Sequence, residues 1–330
     1  MLEVKIYDFR NYDQIRGLLA NDHHLKSRVL DTDFLNRIKA KIDELLIAEE
    51  GTRRYVEIIK SKKGAAVLGF FTGGTAEPIY LGLREAYKAR QMSFRHVITF
   101  NMDEYAGLPP CHVQGYRKFM HQNLFDHIHI DAHQTHFPDS VNGRELEEGE
   151  YDFLIGIMGG IDLQGGGIGT NGHIAFVEPK SPMFYFKNPS FRLTGKRELS
   201  QETRKANSRY FGGDENKVPR YAYTMGLETL LNTKKLVIYA TGKHKADAVK
   251  KAIEGAVTTE VPASFVQEHG NGSFVLDSAA ASGLEREYER ICSANDETVK
   301  HAMRHVSGEE MWKRTTEDEE YISRAFGMTR

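Results

Sequence analysis

The sequence predicts an α/β fold: a mostly parallel central sheet flanked by helices, in a single Rossmann-like domain. Two observations carry this. Short apolar runs recur along the chain (AAVLGFF at 65–71, HVITF at 96–100, LVIYA at 236–240 and SFVL at 273–276), and stretches with helical spacing lie between them. Polar segments rich in glycine or acid also follow the strand runs directly, where the carboxyl ends of parallel strands would collect a site.

Taken in order, residues 34–62 read as a helix, because Leu35, Ile38, Ile42, Leu45 and Leu46 recur at helical spacing. A strand at 65–71 leads through TGGT into a helix at about 76–90. The next strand, at 96–100, is followed by a loop holding Pro109 and Pro110 and by a helix at about 114–124. GIDLQG at 160–165 contains another short strand. Strands at 236–240 and 273–276 bracket a helix at about 244–255. From Gly283 the chain is highly charged; Leu284, Tyr288 and Ile291 fit one face of a docked helix, and beyond Ser307 the periodicity fades.

Of the 330 residues, 40% are hydrophobic and 27% charged, as in an ordinary globular protein. The net charge of −2 argues against a nucleic-acid partner or an anionic membrane surface, and no apolar run approaches a membrane span. The start, MLEVKIYDFRNYDQ, lacks the basic head and apolar core of a signal peptide. Two distant cysteines, Cys111 and Cys292, fit a reducing cytoplasmic setting. His23–His24 and His127–His129 lack further ligands at metal-site spacing, so no metal is expected.

Four constellations carry chemistry. Thr72-Gly73-Gly74-Thr75, between strand and helix, can aim backbone N–H groups and a helix N-terminus at a phosphate. It lacks the Gly-Lys-Ser/Thr ending of a P-loop, and a plain tight turn capped by Thr75 is the alternative. GIGTNG at 167–172 matches G-x-G-x-x-G, but HIAFVEP follows instead of a helix, so a dinucleotide site is rejected. After those glycines, Asn171, His173 and Glu178 lie close together; a carboxylate and an amide beside an imidazole suit a general acid/base. Asp103 and Glu104 are adjacent acids where the 96–100 strand ends; their side chains diverge, so one can face a pocket while the other bonds to backbone or a neighbouring chain, and on these two residues alone a solvated acidic loop is the favoured reading. Lys245 and Arg209 are placed to hold a phosphate, one as a point charge and one as a fork, against the default of surface cations.

These segments resemble the isomerising glucosamine-6-phosphate deaminases. The matching stretches are TGGT, SFRHVITFNMDEYAGLP, GGIDLQ, GIGTNGHIAFVEP, TRKANSRYF, NKVPRYAYTMG and TGKHKADAV, in family order over roughly 65–300. The resemblance implies conversion of glucosamine 6-phosphate and water to fructose 6-phosphate and ammonia, in amino-sugar catabolism, with no cofactor. It makes Asp103 the base between C2 and C1, ionised at neutral pH if it keeps a reference pKa of ~3.9. His173 would open the sugar ring, with Asn171 and Glu178 tuning it. Thr72, Gly73, Gly74, Thr75, Arg209 and Lys245 would hold the phosphate. The partner is then a small-molecule substrate, with a homo-oligomer left open. A related sugar-phosphate hydrolase or isomerase and a non-catalytic sugar-phosphate sensor are the alternatives. Some members carry Asp where Asn171 stands, the usual Pro after TGGT is Ala76, and the usual FNEP is FVEP. The family's Ser/Arg-rich allosteric stretch is replaced by KSPMFYFKNPSFRLTGKRELSQ, so a remodelled lid without family-type activation is expected. The implied layout is an N-terminal extension at 1–40, the α/β domain at 41–305 with a lid at about 180–215, and a charged extension at 306–330.

Overall fold

A computed structural model of the chain describes residues 2–141, 144–180 and 192–308. The strands are β1 (Glu3–Tyr7), β2 (Ala66–Phe70), β3 (Val97–Asn101), β4 (Asp103–Tyr105), β5 (Thr135–His136), β6 (Ser140–Val141), β7 (Arg144–Glu145), β8 (Leu163–Gly167), β9 (Gly195–Glu198), β10 (Tyr221–Thr224), β11 (Leu236–Ala240), β12 (Gly272–Asp277) and β13 (Glu289–Ile291). The helices are α1 (Tyr12–Ala20), α2 (Thr32–Ser61), α3 (Ala76–Lys88), α4 (Tyr116–Asn123), α5 (Glu150–Ile157), α6 (Gln201–Asn207), α7 (Leu227–Leu231), α8 (Ala246–Glu254) and α9 (Asp296–Ser307).

Eight strands make one parallel sheet in the order β13-β1-β12-β11-β8-β2-β3-β5. Strands β2, β11 and β12 are buried along their whole length, which explains their continuous apolar runs. Helix α2 starts where Asp31 accepts the Phe34 N–H at 2.9 Å, and it buries the stripe Phe34, Leu35, Ile38, Ile42, Leu45 and Leu46. A separate three-stranded antiparallel sheet, β4-β10-β9, sits beside the main one. It carries its own small cluster of Tyr105, Phe176, Leu199, Phe211, Val218 and Ala222.

Two expectations need correction. Residues 283–291 do not form a docked helix: Glu289–Ile291 is an edge strand paired with Lys5, Ile6 and Tyr7. Three apolar positions matched a helical spacing by chance, and the helix begins later, capped by Asn295 on the Thr298 N–H at 2.9 Å. The first 40 residues also do not stand apart. Strand β1 lies inside the sheet, between β12 and β13, and residue 40 falls within α2. Of the stretch expected to be remodelled, 180–201, residues 181–191 lie outside the described residues, as does the charged extension from 309 on, while 195–198 form β9.

Candidate active site

Four neighbouring strands, β11, β8, β2 and β3, deliver their loops to one edge of the sheet. The chain runs outward from β2 through β3 to β5, then returns to β8 on the other side of β2. The reversal leaves a crevice between β2 and β8 at their carboxyl ends. TGGT leaves β2 on one side of it, and the loop bearing His173 leaves β8 on the other.

Asp103 opens β4, directly after β3. Its Oδ1 accepts the Thr224 hydroxyl at 2.5 Å from the facing strand β10. Burial pushes its carboxyl up to about 7, with a smaller push from Glu104; the Thr224 hydroxyl and the Phe176 N–H act in the opposite direction. This corrects the expectation of an ordinary carboxylate. A carboxyl pushed up in this way suits a group that must both take and return a proton.

Glu104 does something different. Strand alternation turns it to the other face, where one oxygen accepts the Tyr105 and Tyr116 N–H groups at 2.8 and 2.9 Å and the other accepts the Arg117 N–H at 2.7 Å. Helix α4 has no side-chain cap from Gly115, so Glu104 supplies it from outside. Burial raises its carboxyl, partly offset by these three N–H donors. Glu104→Ala should therefore cost about 2 kcal/mol or more in urea unfolding, against under ~0.5 kcal/mol for an ordinary surface acid.

His173 is held from one side. Its Nδ1 lies 3.6 Å from Glu178 Oε2 and 3.4 Å from the Thr203 hydroxyl. Nδ1 therefore carries the proton toward the carboxylate, and Nε2, with no partner among the described residues, is left for substrate. Burial alone would raise Glu178, but His173, Thr203 and Asn171 together draw it down to about 2. Asn171 donates to Glu178 Oε2 at 3.0 Å and accepts the His173 backbone N–H at 3.1 Å, so it fixes the carboxylate and the loop and not the ring itself. Gly169 is required here, because a Cβ at that position would lie 2.3 Å from the imidazole.

The remaining loops are positive. Gly73 has φ +108°, and a Cβ at Gly73 or Gly74 would meet nothing within 4 Å, so this turn presents open backbone. Thr75 occupies the N-cap position of α3 but makes no capping hydrogen bond; its hydroxyl lies 3.4 Å from that of Thr241. The first N–H groups of α3 thus lack the cap that the plain-turn alternative required. Lys245 Nζ donates to the Ile168 carbonyl at 2.6 Å, bridging the β11 and β8 loops. Burial, then the Arg209 charge, pushes the Lys245 ammonium down to about 8. Arg209 is exposed, with its guanidinium 4.8 Å from the Tyr210 ring centre. Neither cation has a carboxylate partner among the described residues. Two like charges held together without a counter-charge favour an anionic ligand.

The structure brings Asp103, the His173 triad, TGGT, Arg209 and Lys245 to the same edge of the fold. Sequence reasoning missed Thr224, Thr203 and Thr241, which reach the site from other segments; the distance of each from its partner in the chain left no local signal.

An acid, a His–Glu pair and two cations on loops at the carboxyl ends of a parallel sheet define an α/β enzyme of the crevice type. The chain belongs to the family of glucosamine-6-phosphate isomerases/6-phosphogluconolactonase, whose sequence model matches residues 45–275. Its relatives at higher identity are deaminases. It is 42% identical over 256 residues to the glucosamine-6-phosphate deaminase of Shewanella woodyi, covering 77% of this chain and 93% of that one. It is 45% identical over 231 residues to glucosamine-6-phosphate deaminase 2 of Bacillus subtilis, covering 69% and 90%. Among solved structures, a monomeric glucosamine-6-phosphate deaminase aligns with a TM-score of 0.66 at 35% identity, covering 73% of this chain and 96% of that one. The 6-phosphogluconolactonase of Trypanosoma brucei aligns at 0.56 with 17% identity, covering 73% and 96%, and speaks to the fold alone.

Proposed function

We infer that this chain is a glucosamine-6-phosphate deaminase, converting glucosamine 6-phosphate and water to fructose 6-phosphate and ammonia. The arrangement that carries the mechanism is the half-buried Asp103 carboxyl, held by the Thr224 hydroxyl and pushed up to about 7, on the same sheet edge as an imidazole whose Nδ1 faces Glu178. The backbone of 73–75 with Arg209 and Lys245 holds the phosphate. His173 Nε2 takes the proton of the C1 hydroxyl and passes it to the ring oxygen, the bond from C1 to the ring oxygen breaks, and the sugar opens to its C1 aldehyde. Asp103 removes the C2 proton, giving an enolamine, and returns a proton to C1. The C2 imine then takes up water and releases ammonia, leaving the C2 ketone. The substrate's own carbonyl and amine act as the electron sink, so no metal or organic cofactor enters a step.

The test is incubation of the purified protein with glucosamine 6-phosphate, with ammonia and fructose 6-phosphate followed together. Equal production of both supports this reading. Binding without either product would replace it with a sugar-phosphate sensor.

A further inference from the structure

Thr224 faces Asp103 directly across the antiparallel β4–β10 pair. It is 1% exposed, so solvent does not compete for its hydroxyl. A hydroxyl has one proton to give and two lone pairs to receive. The Phe176 N–H occupies a lone pair at 2.9 Å. Two acceptors are in range for the proton: Asp103 Oδ1 at 2.5 Å and the Met225 carbonyl at 3.4 Å. The closer and charged acceptor wins. A chain of two hydrogen bonds therefore runs from the His173 loop, three residues past the imidazole, through Thr224 to the carboxyl.

We propose that Thr224 is a positioning residue that makes Asp103 Oδ2 the atom which takes the proton from C2 and delivers it to C1. The proposal rests on Asp103 being the base. Oδ1 is already engaged by the Thr224 hydroxyl, so the incoming proton goes to Oδ2, which has no hydrogen-bond donor among the described residues. Thr224 keeps its own proton throughout; it donates to the anion before the transfer and to the carbonyl-like oxygen after it. Because Phe176 belongs to the His173 loop, the same bonds tie the carboxyl plane to the group that opens the sugar.

The groups around the carboxyl make this donor consequential. Glu104, on the same strand, disfavours the anion, while the Thr224 hydroxyl and the Phe176 N–H favour it. Tyr105 on β4, Tyr116 on α4 and Tyr151 on α5 lie within electrostatic reach, and burial keeps all three phenols neutral at working pH. No cation acts on Asp103 among the described residues. Without the hydroxyl, the anion loses its closest support.

The test is the pH profile of kcat/KM for Thr224→Val, which keeps the side chain's shape and removes the donor. The acid limb should move upward by about one pH unit or more, and kcat should fall about 10- to 100-fold with KM little changed. Thr224→Ser, which restores the hydroxyl, should return the limb to the wild-type position. A valine variant with the wild-type limb overturns the proposal. If the valine variant does not fold, Thr224→Cys, whose thiol is a weak donor, carries the same expectation and the same refutation. Asp103→Asn separates the two ways of failing. Near-wild-type turnover in that variant removes the base itself, whereas an Asp103→Asn slowed about 100-fold or more beside an unshifted Thr224→Val removes only the role of Thr224.

Discussion

Asp103→Asn lowers kcat by about 10²- to 10⁴-fold and leaves substrate binding close to wild type. The amide keeps the shape and still accepts the Thr224 hydroxyl, but it cannot take a proton from carbon. The groups proposed to hold the phosphate, on other loops, are untouched. The same substitution also changes stability in a pH-dependent way. Burial lifts the Asp103 carboxyl from its ordinary 3.8 to about 7. Between those values the folded protein holds a proton that the unfolded chain has released. The contribution of this group to stability is therefore full below about 4 and is lost as pH rises through about 7. Above pH 7 the asparagine variant is spared a buried charge and should melt at a higher temperature than wild type. Near pH 4 the two melting temperatures should converge. Melting curves at both ends, with kinetics at pH 7.5, check the pair of effects together.

Lys245→Gln lowers kcat/KM about 10- to 150-fold, mainly through KM, because a charge-assisted contact to phosphate is worth roughly 1.5–3 kcal/mol. The contact also sets a pH limit. Burial and Arg209 push the Lys245 ammonium down to about 8, so in the free enzyme it loses its charge above that value. With Asp103 ionising near 7, kcat/KM should be bell-shaped, with the two groups forming its acid and alkaline limbs. The substrate's own amine and phosphate titrate identically with both enzymes, so the ratio of wild type to variant isolates Lys245. That ratio should be large at pH 7 and shrink above about 8, while the acid limb stays in place. A ratio independent of pH would remove Lys245 from the phosphate site.

The parts of the site that were legible in the sequence share one property: each follows a buried strand within a few residues. TGGT after β2, Asp103 after β3, His173 after β8 and Lys245 after β11 could be placed at one sheet edge because parallel strands put their carboxyl ends together. Thr224 could not, since it lies 121 residues from Asp103 and reads as an ordinary β-branched strand residue. The ionisation of Asp103 was misjudged for a related reason. Its value comes from burial under β10 and the His173 loop, which no local pattern reports. Glu104 was separable from Asp103 by strand alternation, but its task as a remote cap for α4 was not. In the fold, β1 was missed because EVKIY is short and starts charged, although it lies between two sheet neighbours. The helix expected near 284–291 failed because an edge strand there pairs with β1, a long-range contact that overrides local spacing.

In the proposed reaction Asp103 carries a proton from C2 to C1. Glucosamine 6-phosphate deuterated at C2 tests it most directly, with wild type and Asp103→Asn followed by NMR. Wild type should turn over the deuterated sugar more slowly, with the label divided between C1 of fructose 6-phosphate and water, and the variant should form product at least about 100-fold more slowly. Full retention of the label at C1, as in a direct hydride shift, or turnover by Asp103→Asn within about tenfold of wild type, would contradict it.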